Sequence, residues 1–428
     1  MKKIYIVLLF VVVNICVNCK NSTGQDKIRL MLAEKYFSEL KEILDIDNGN
    51  LWGINLYGPI MFVDPETREV IANKQTKDSS FTKKGNVYYG VLPKEINIAN
   101  TARDYKDELW TFVKWNNNLL SETERNILLI HECWHRIQSQ IGLPPCFSNN
   151  YHLDEPEGAI LFKIELMALL QAIQKEETDD IIKDVRNALI VRQKRQMLFP
   201  DNNENIYECH EGLAEYTALK LYYNNKPEKD IVIRITDKLE SNLNKEGYSN
   251  YFAYLTGPAY GMLLDKLSSC WTKDILNGKS IIDVVSGFVE DLDNLDMDDE
   301  IERIIDYYNI KDFINQEKIV LNNLKEEERK IKEEFLESNL LIIQNNNISF
   351  TYDPNEKIIE IDSLGFIYKT MRLSGDFGII DAHNGVMITY NWGNFIIPYK
   401  EKECEIELKD GYQIFEFDKH KYMIRKIE

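Results

Sequence analysis

Apolar residues recur along this chain in three different rhythms. From Lys27 to Leu44 they return every three or four positions, the spacing that gathers them on one face of a helix. Leu51–Val63, Asn86–Leu92 and Glu108–Trp115 are instead short runs of β-branched and aromatic residues, punctuated by Gly and Pro, and they predict strands. Between residues 121 and 337 the helical rhythm dominates. It ends in a charged segment, Lys311–Ser338, whose Lys325-Glu326-Glu327-Glu328-Arg329-Lys330 centre reads as a solvated face. Strand-like runs then take over, with Asp353-Pro354, Asn384-Gly385 and Asp410-Gly411 as turn signals; Asn-Gly and Asp-Gly are the strongest hairpin cues. The pattern predicts an α+β protein: an N-terminal α/β subdomain over 25–120, a mainly helical domain over 121–337 and a small antiparallel β-domain over 338–428.

One segment stands outside this scheme. Lys2 and Lys3 precede the apolar run Ile4–Val13, the layout of an export signal. The run is shorter than the roughly 20 residues that span a bilayer. Segment 1–19 is therefore expected to direct export to the cell envelope or the medium. It ends in Ile15-Cys16-Val17-Asn18-Cys19, and Cys19 resembles the lipid-attachment Cys of bacterial lipoproteins. Asn18 stands where those signals carry a small residue, so lipid anchoring through Cys19, plain cleavage and retention of the segment all stay open.

Composition narrows the partners. The formal net charge is −19 and no basic cluster occurs, which argues against nucleic acid, whose phosphates need Lys and Arg. Beyond the signal region, Cys133, Cys146, Cys209, Cys270 and Cys404 show no CxxC spacing, so a thiolate zinc site is not expected and buried free thiols are. The acidic stretch Glu290–Glu300 lacks the residue order of a calcium loop and reads as a solvated loop.

The chemistry concentrates in His131-Glu132-Cys133-Trp134-His135. Ser121 and Glu124 form a capping box ahead of it, and Gly142, Pro144 and Pro145 stop the helix behind it. On a helix, residues i and i+4 share a face, so both imidazoles can bind one Zn2+ at about 2.0–2.1 Å. Glu132 then lies beside them, placed to take a proton from the attacking water. A catalytic zinc needs a third protein ligand. Glu211, in Glu208-Cys209-His210-Glu211-Gly212-Leu213-Ala214-Glu215-Tyr216, shares a helix face with Glu215, so one carboxylate can bind metal while the other accepts an imidazole N–H. Asp201 and Glu204 predict a cap for that helix. Glu165, within the apolar run Ala159–Ile173, is the rival ligand; a lone buried carboxylate there needs a partner, and Arg192 and Arg195 are the candidates. His152 is read as a cap or loop residue that could line the cleft.

These motifs resemble the gluzincins, the zinc metallopeptidases that include thermolysin-like proteases and zinc aminopeptidases. His210-Glu211-Gly212-Leu213-Ala214 is similar to the Asn-Glu-Gly-Phe-Ala of the aminopeptidases. The resemblance implies a zincin-like fold for the helical domain, Glu211 as third ligand and Glu215 as the acid orienting His131. Tyr254-Leu255-Thr256-Gly257 resembles the turn carrying the oxyanion-stabilising Tyr of the aminopeptidases; Tyr260 is the alternative. The chain departs from the family pattern at His210 and at Thr256, and in the 75 residues between His135 and Glu211, far more than the usual spacing.

The expected activity is hydrolysis of a peptide or protein substrate. Glu132 serves as base, Tyr254 or Tyr260 steadies the oxyanion, and strand Glu108–Trp115 offers an edge to an extended peptide. Two other readings stay open: a catalytically dead or structural zincin acting as a cell-surface binding protein, and a zinc hydrolase of a non-peptide amide or ester.

Overall fold

The buried residues Ala33, Tyr36, Phe37, Leu40 and Leu44 fall at helical spacing, and residues 27–47 form the first described helix, α1. In the computed structural model the described residues are 27–115, 120–290, 292, 294–352, 358–361, 363–399 and 404–427; segment 1–19 with Cys19, and the Asp353-Pro354 turn, lie outside them. The fold is α+β, and the chain divides into two compact units that meet in sequence at Asn309 and Ile310.

The first unit opens with α1 laid on a six-stranded sheet, with Phe37 stacked on Phe62 at 4.7 Å. Its strands are β1 (Ile60–Val63), β2 (Glu69–Ala72), β3 (Thr82–Lys84), β4 (Val87–Val91), β5 (Thr101–Tyr105) and β6 (Glu108–Lys114), in the order β3-β4-β2-β1-β6-β5. Only the β1–β6 pairing is parallel. The strands missed by the apolar pattern, β2, β3 and β5, are short or carry charged residues. The expectation that β6 forms an edge is overturned: it lies between β1 and β5. Trp110, Thr111, Phe112 and Val113 are consecutively buried, as a strand covered on both faces requires. Among the described residues, β5 is the outer strand on that side.

Helix α2 (Glu122–Gln138) packs on β5 and β6. Ser121 accepts from the Glu124 amide, but Glu124 does not close the box; its carboxylate pairs with Arg234 at 2.8 Å. Gly142, with φ +83°, follows the short 3₁₀ turn that ends the segment. Helices α3 (Pro156–Ile173) and α4 (Thr178–Leu198) form a hairpin. The short α5 (Glu204–Tyr207) runs without a break into a π turn, Glu208–Gly212, and then α6 (Leu213–Tyr223), which lies against α2. Asp201 and Glu204 do not form the predicted cap. Asn203 is the cap residue, and Glu204 turns inward to buried arginines. Helices α7 (Glu228–Asn242) and α8 (Ala253–Leu267) complete the surroundings of the site. Gly212 and Gly257 let the π turn and α8 touch: a Cβ on Gly257 would lie 2.3 Å from the Gly212 Cα.

The second unit begins with the charged helix Lys311–Glu337. The sequence reading ended the preceding domain with this helix, but Phe335 packs with Ile359, Ile361, Ile367 and Met387, so its last turn shares the core of the strands. Among the described residues, a seven-stranded and a four-stranded sheet follow, antiparallel except where Lys421–Met423 runs beside Leu340–Ile342. Asn384-Gly385 and Asp410-Gly411 are turns but close no hairpin. Each carries the chain from the four-stranded sheet to the seven-stranded one, with Gly385 at φ +101° and Gly411 at φ +86°. No helix among the described residues is long and apolar enough to cross a membrane.

Candidate metal centre

Helical spacing on α2 puts His131 and His135 side by side, with their Nε2 atoms 3.1 Å apart. The π turn delivers Glu211 to the same point: its Oε2 lies 3.3 Å from His131 Nε2 and 3.5 Å from His135 Nε2. The three ligand atoms thus form a small triangle. A tetrahedral ion with bonds of about 2.0–2.1 Å separates its ligands by about 3.3–3.4 Å, so the triangle has the dimensions of one face of such a site. Among the described residues this is the group of His, Cys, Asp and Glu side chains that could hold a metal ion.

The hydrogen bonds around the triangle set its charge. Glu215 Oε2 lies 3.2 Å from His131 Nδ1, and an ionised carboxylate can only accept, so Nδ1 carries the hydrogen. His135 Nδ1 faces Gln138 Oε1 at 2.9 Å. Both rings therefore present an Nε2 lone pair to each other and to the Glu211 carboxylate. Three electron-rich atoms within about 3.5 Å of one another are stable only around a positive charge, a proton or a metal ion. Burial opposes charge on His131, but the Glu211 and Glu215 carboxylates outweigh it and raise the imidazole to about 10. For Glu211, burial is likewise outweighed by the two imidazoles, which hold the carboxyl well below its ordinary range. The donor set of two imidazoles and one carboxylate fits a divalent ion of the zinc type.

Glu132 is buried, and its Oε2 has no hydrogen-bond partner in the protein. Burial pushes its carboxyl above the ordinary range, against the pull of His131 and His135. Tyr254, from the first turn of α8, donates to Glu211 Oε2 at 2.5 Å, and its ring lies parallel to that of His131 at 5.5 Å. Burial and the Glu211 charge raise its hydroxyl pKa. Lys238 on α7 pairs with Glu215 at 2.7 Å, fixing the acid that fixes His131.

Tyr260, the other sequence candidate for the oxyanion role, is not at the triangle. It is fully buried and donates to Glu165 Oε1 at 2.8 Å. Glu165 is not at the triangle either. It belongs to a buried network in which Arg192 reaches Glu165 and Glu208, each at 2.8 Å, and Arg195 reaches Glu165 at 2.6 Å and Glu204 at 2.5 Å. His152 joins that network rather than the cleft, with Nε2 2.7 Å from Glu204 Oε1. The network bears on the site through Glu208. The widened π turn lets Glu208 face the buried arginines while Glu211, three residues on, faces the imidazoles. Cys133 and Cys209 are both buried free thiols.

The sequence reading missed two contributors. Gln138 ends α2 and touches both His135 and His210; the ring of His210 lies 4.9 Å from that of His135 and its Nε2 lies 3.3 Å from Glu211 Oε1. Gln138 lies one position short of a further helical turn from His135, a spacing that could have marked it as facing the same space. His210 adjoins the metal-ligand candidate, but only the π turn reveals its direction. Compared with family models, with curated proteins and with solved structures, the chain matches none.

Proposed function

We propose that this chain is a zinc metallopeptidase whose helical domain is zincin-like, with His131, His135 and Glu211 as metal ligands. One observation carries the reading: two imidazole nitrogens and a carboxylate oxygen close a metal-sized triangle beside a buried carboxylate, Glu132, whose Oε2 has no protein partner. Zinc held there supplies Lewis acidity toward a water and a carbonyl oxygen. Glu132, made more basic by burial, takes the proton of the attacking water and returns it to the leaving amine. Glu215, braced by Lys238, keeps the His131 lone pair on the metal side. Tyr254 offers its O–H to the developing oxyanion. The free edge of β5, next to α2, supports a substrate bound as an extended peptide. The basic and apolar start of the chain supports export of this activity to the cell envelope, with Cys19 as the candidate lipid anchor.

The test is Glu132→Gln. It should keep stoichiometric zinc by elemental analysis and lose roughly 10²–10⁴-fold in cleavage of a peptide library. Full activity in that variant would end the proposal. Glu211→Ala should lose the metal; zinc retained at wild-type affinity would remove Glu211 from the ligand set. Turnover of esters or non-peptide amides, with no peptide cleaved, would transfer the same site to another substrate class.

A further inference from the structure

We infer that Gln138 is a positioning residue that locks two imidazoles, His135 and His210, in one tautomer and thereby makes His210 a built member of the metal cleft. The inference rests on the reading of the site given above. Gln138 is the last residue of α2 and is almost fully buried. Its Nε2 donates to the main-chain carbonyl of His210 at 3.1 Å and reaches that of Cys209 at 3.5 Å. Carbonyls only accept, so the amide nitrogen must lie on that side and Oε1 on the other. Oε1 then stands 2.9 Å from His135 Nδ1 and 3.0 Å from His210 Nδ1, and both ring nitrogens must donate.

Three consequences follow from this one amide. The His135 lone pair is fixed at Nε2, where the triangle needs it. The His210 lone pair is fixed at Nε2 as well, 3.3 Å from Glu211 Oε1; two acceptors so placed call for a proton or a cation between them, as the triangle does, and this puts the imidazole in the cleft beside the third ligand. The carbonyls of Cys209 and His210, in the middle of the π turn, are tied to the end of the helix that carries both metal-binding histidines. Gln138 therefore joins the two segments that must converge and sets the proton positions on both sides of the joint. Partners that orient metal-binding histidines are typically worth 10–100-fold in metal affinity.

The experiment uses the full chain labelled with [15N]histidine, which carries six histidines, observed by NMR with and without zinc at pH 8. His135→Asn and His210→Asn identify the two signals. The wild type should show Nδ1–H and unprotonated Nε2 for both rings. Gln138→Leu should abolish that signature for His210 and weaken zinc binding about 10–100-fold in chelator competition. Gln138→Glu keeps an acceptor for both rings but loses the donors to the π turn; it should preserve the Nδ1–H signature. An Nε2–H tautomer at either ring in the wild type, or a Gln138→Leu variant with unchanged tautomers and unchanged zinc affinity, would overturn the inference. Because the wild-type tautomers are read directly, the result stands even if the Leu variant fails to fold. If the tautomers are as stated but zinc does not bind, the metallopeptidase reading fails and the role of Gln138 survives.

Discussion

At the scale of single residues, the site and its support use ionisable groups in opposite ways. Around the metal triangle, each side chain is arranged so that negative and lone-pair atoms point at one spot. Around Arg192 and Arg195, the carboxylates of Glu165, Glu204 and Glu208 are paired with guanidinium groups. Tyr254 serves the first set as a donor to Glu211, and Tyr254→Phe should lower kcat about 10²–10³-fold in steady-state assays while leaving zinc content unchanged. Glu204 belongs to the second. Burial opposes its ionisation, but Arg195, His152 and Arg192 hold the carboxyl well below its ordinary range. A depressed carboxyl contributes stability that is present above about pH 4.3 and is lost as pH falls toward the native-state value. Glu204→Gln should therefore cost about 3–5 kcal/mol near neutral pH, and the gap from wild type should narrow on acidification. Urea midpoints between pH 7 and pH 3 check both the loss and its direction.

At the scale of elements, the π turn decides where two carboxylates point. Glu208–Gly212 must send one carboxylate into the arginine network and another to the imidazoles, and it is held from three sides: by Arg192 at Glu208, by Gln138 at the Cys209 and His210 carbonyls, and by α8 at Gly212. The last contact is steric. Gly257→Ala would place a methyl group 2.3 Å from the Gly212 Cα, against backbone that has no side chain to move aside. The substitution should cost about 1–3 kcal/mol in chemical denaturation, as overpacking does, and should also lower zinc affinity because the turn carries Glu211. A loss of stability without a loss of affinity would detach the turn from the metal site. None of this was legible in the sequence. A run such as Glu208 to Tyr216 has the same composition whether it winds as α or π, and Gly212 reads as an ordinary weak point until Gly257 is seen opposite. The predicted caps were only half right for a related reason. Glu124 and Glu204 are each positioned to bond a helix amide, but Arg234 and Arg195 offer them a charged partner instead.

At the scale of the molecule, two compact units, each with its own principal core, predict two unfolding events. One core runs from Ala33 through Val285 and includes Leu129, Cys133 and Trp134 of the helix that carries His131 and His135; another is built from Leu341, Leu373, Ile380, Phe395 and their neighbours. Calorimetry should resolve two transitions, and zinc should raise only the one belonging to residues 27–309, since a ligand stabilises the unit that binds it. A single transition shifted as a whole by zinc would show that the units unfold together.

The sequence by itself determined what depends on neighbours along the chain. His131 and His135 share a face because any helix places i and i+4 together, and the alternation of apolar residues marks the C-terminal strands wherever they pair. The tertiary structure decided what depends on partners far away. It brought Glu211 across 75 residues to the imidazoles and drew Glu165 and Tyr260 into a buried network. It put β5 rather than β6 at the sheet edge and turned Gln138 toward two histidines. Local periodicity says which face of an element is apolar, but convergence of side chains is fixed by how close two backbones come and which charges must be buried together, and neither is written in the spacing of residues along one segment.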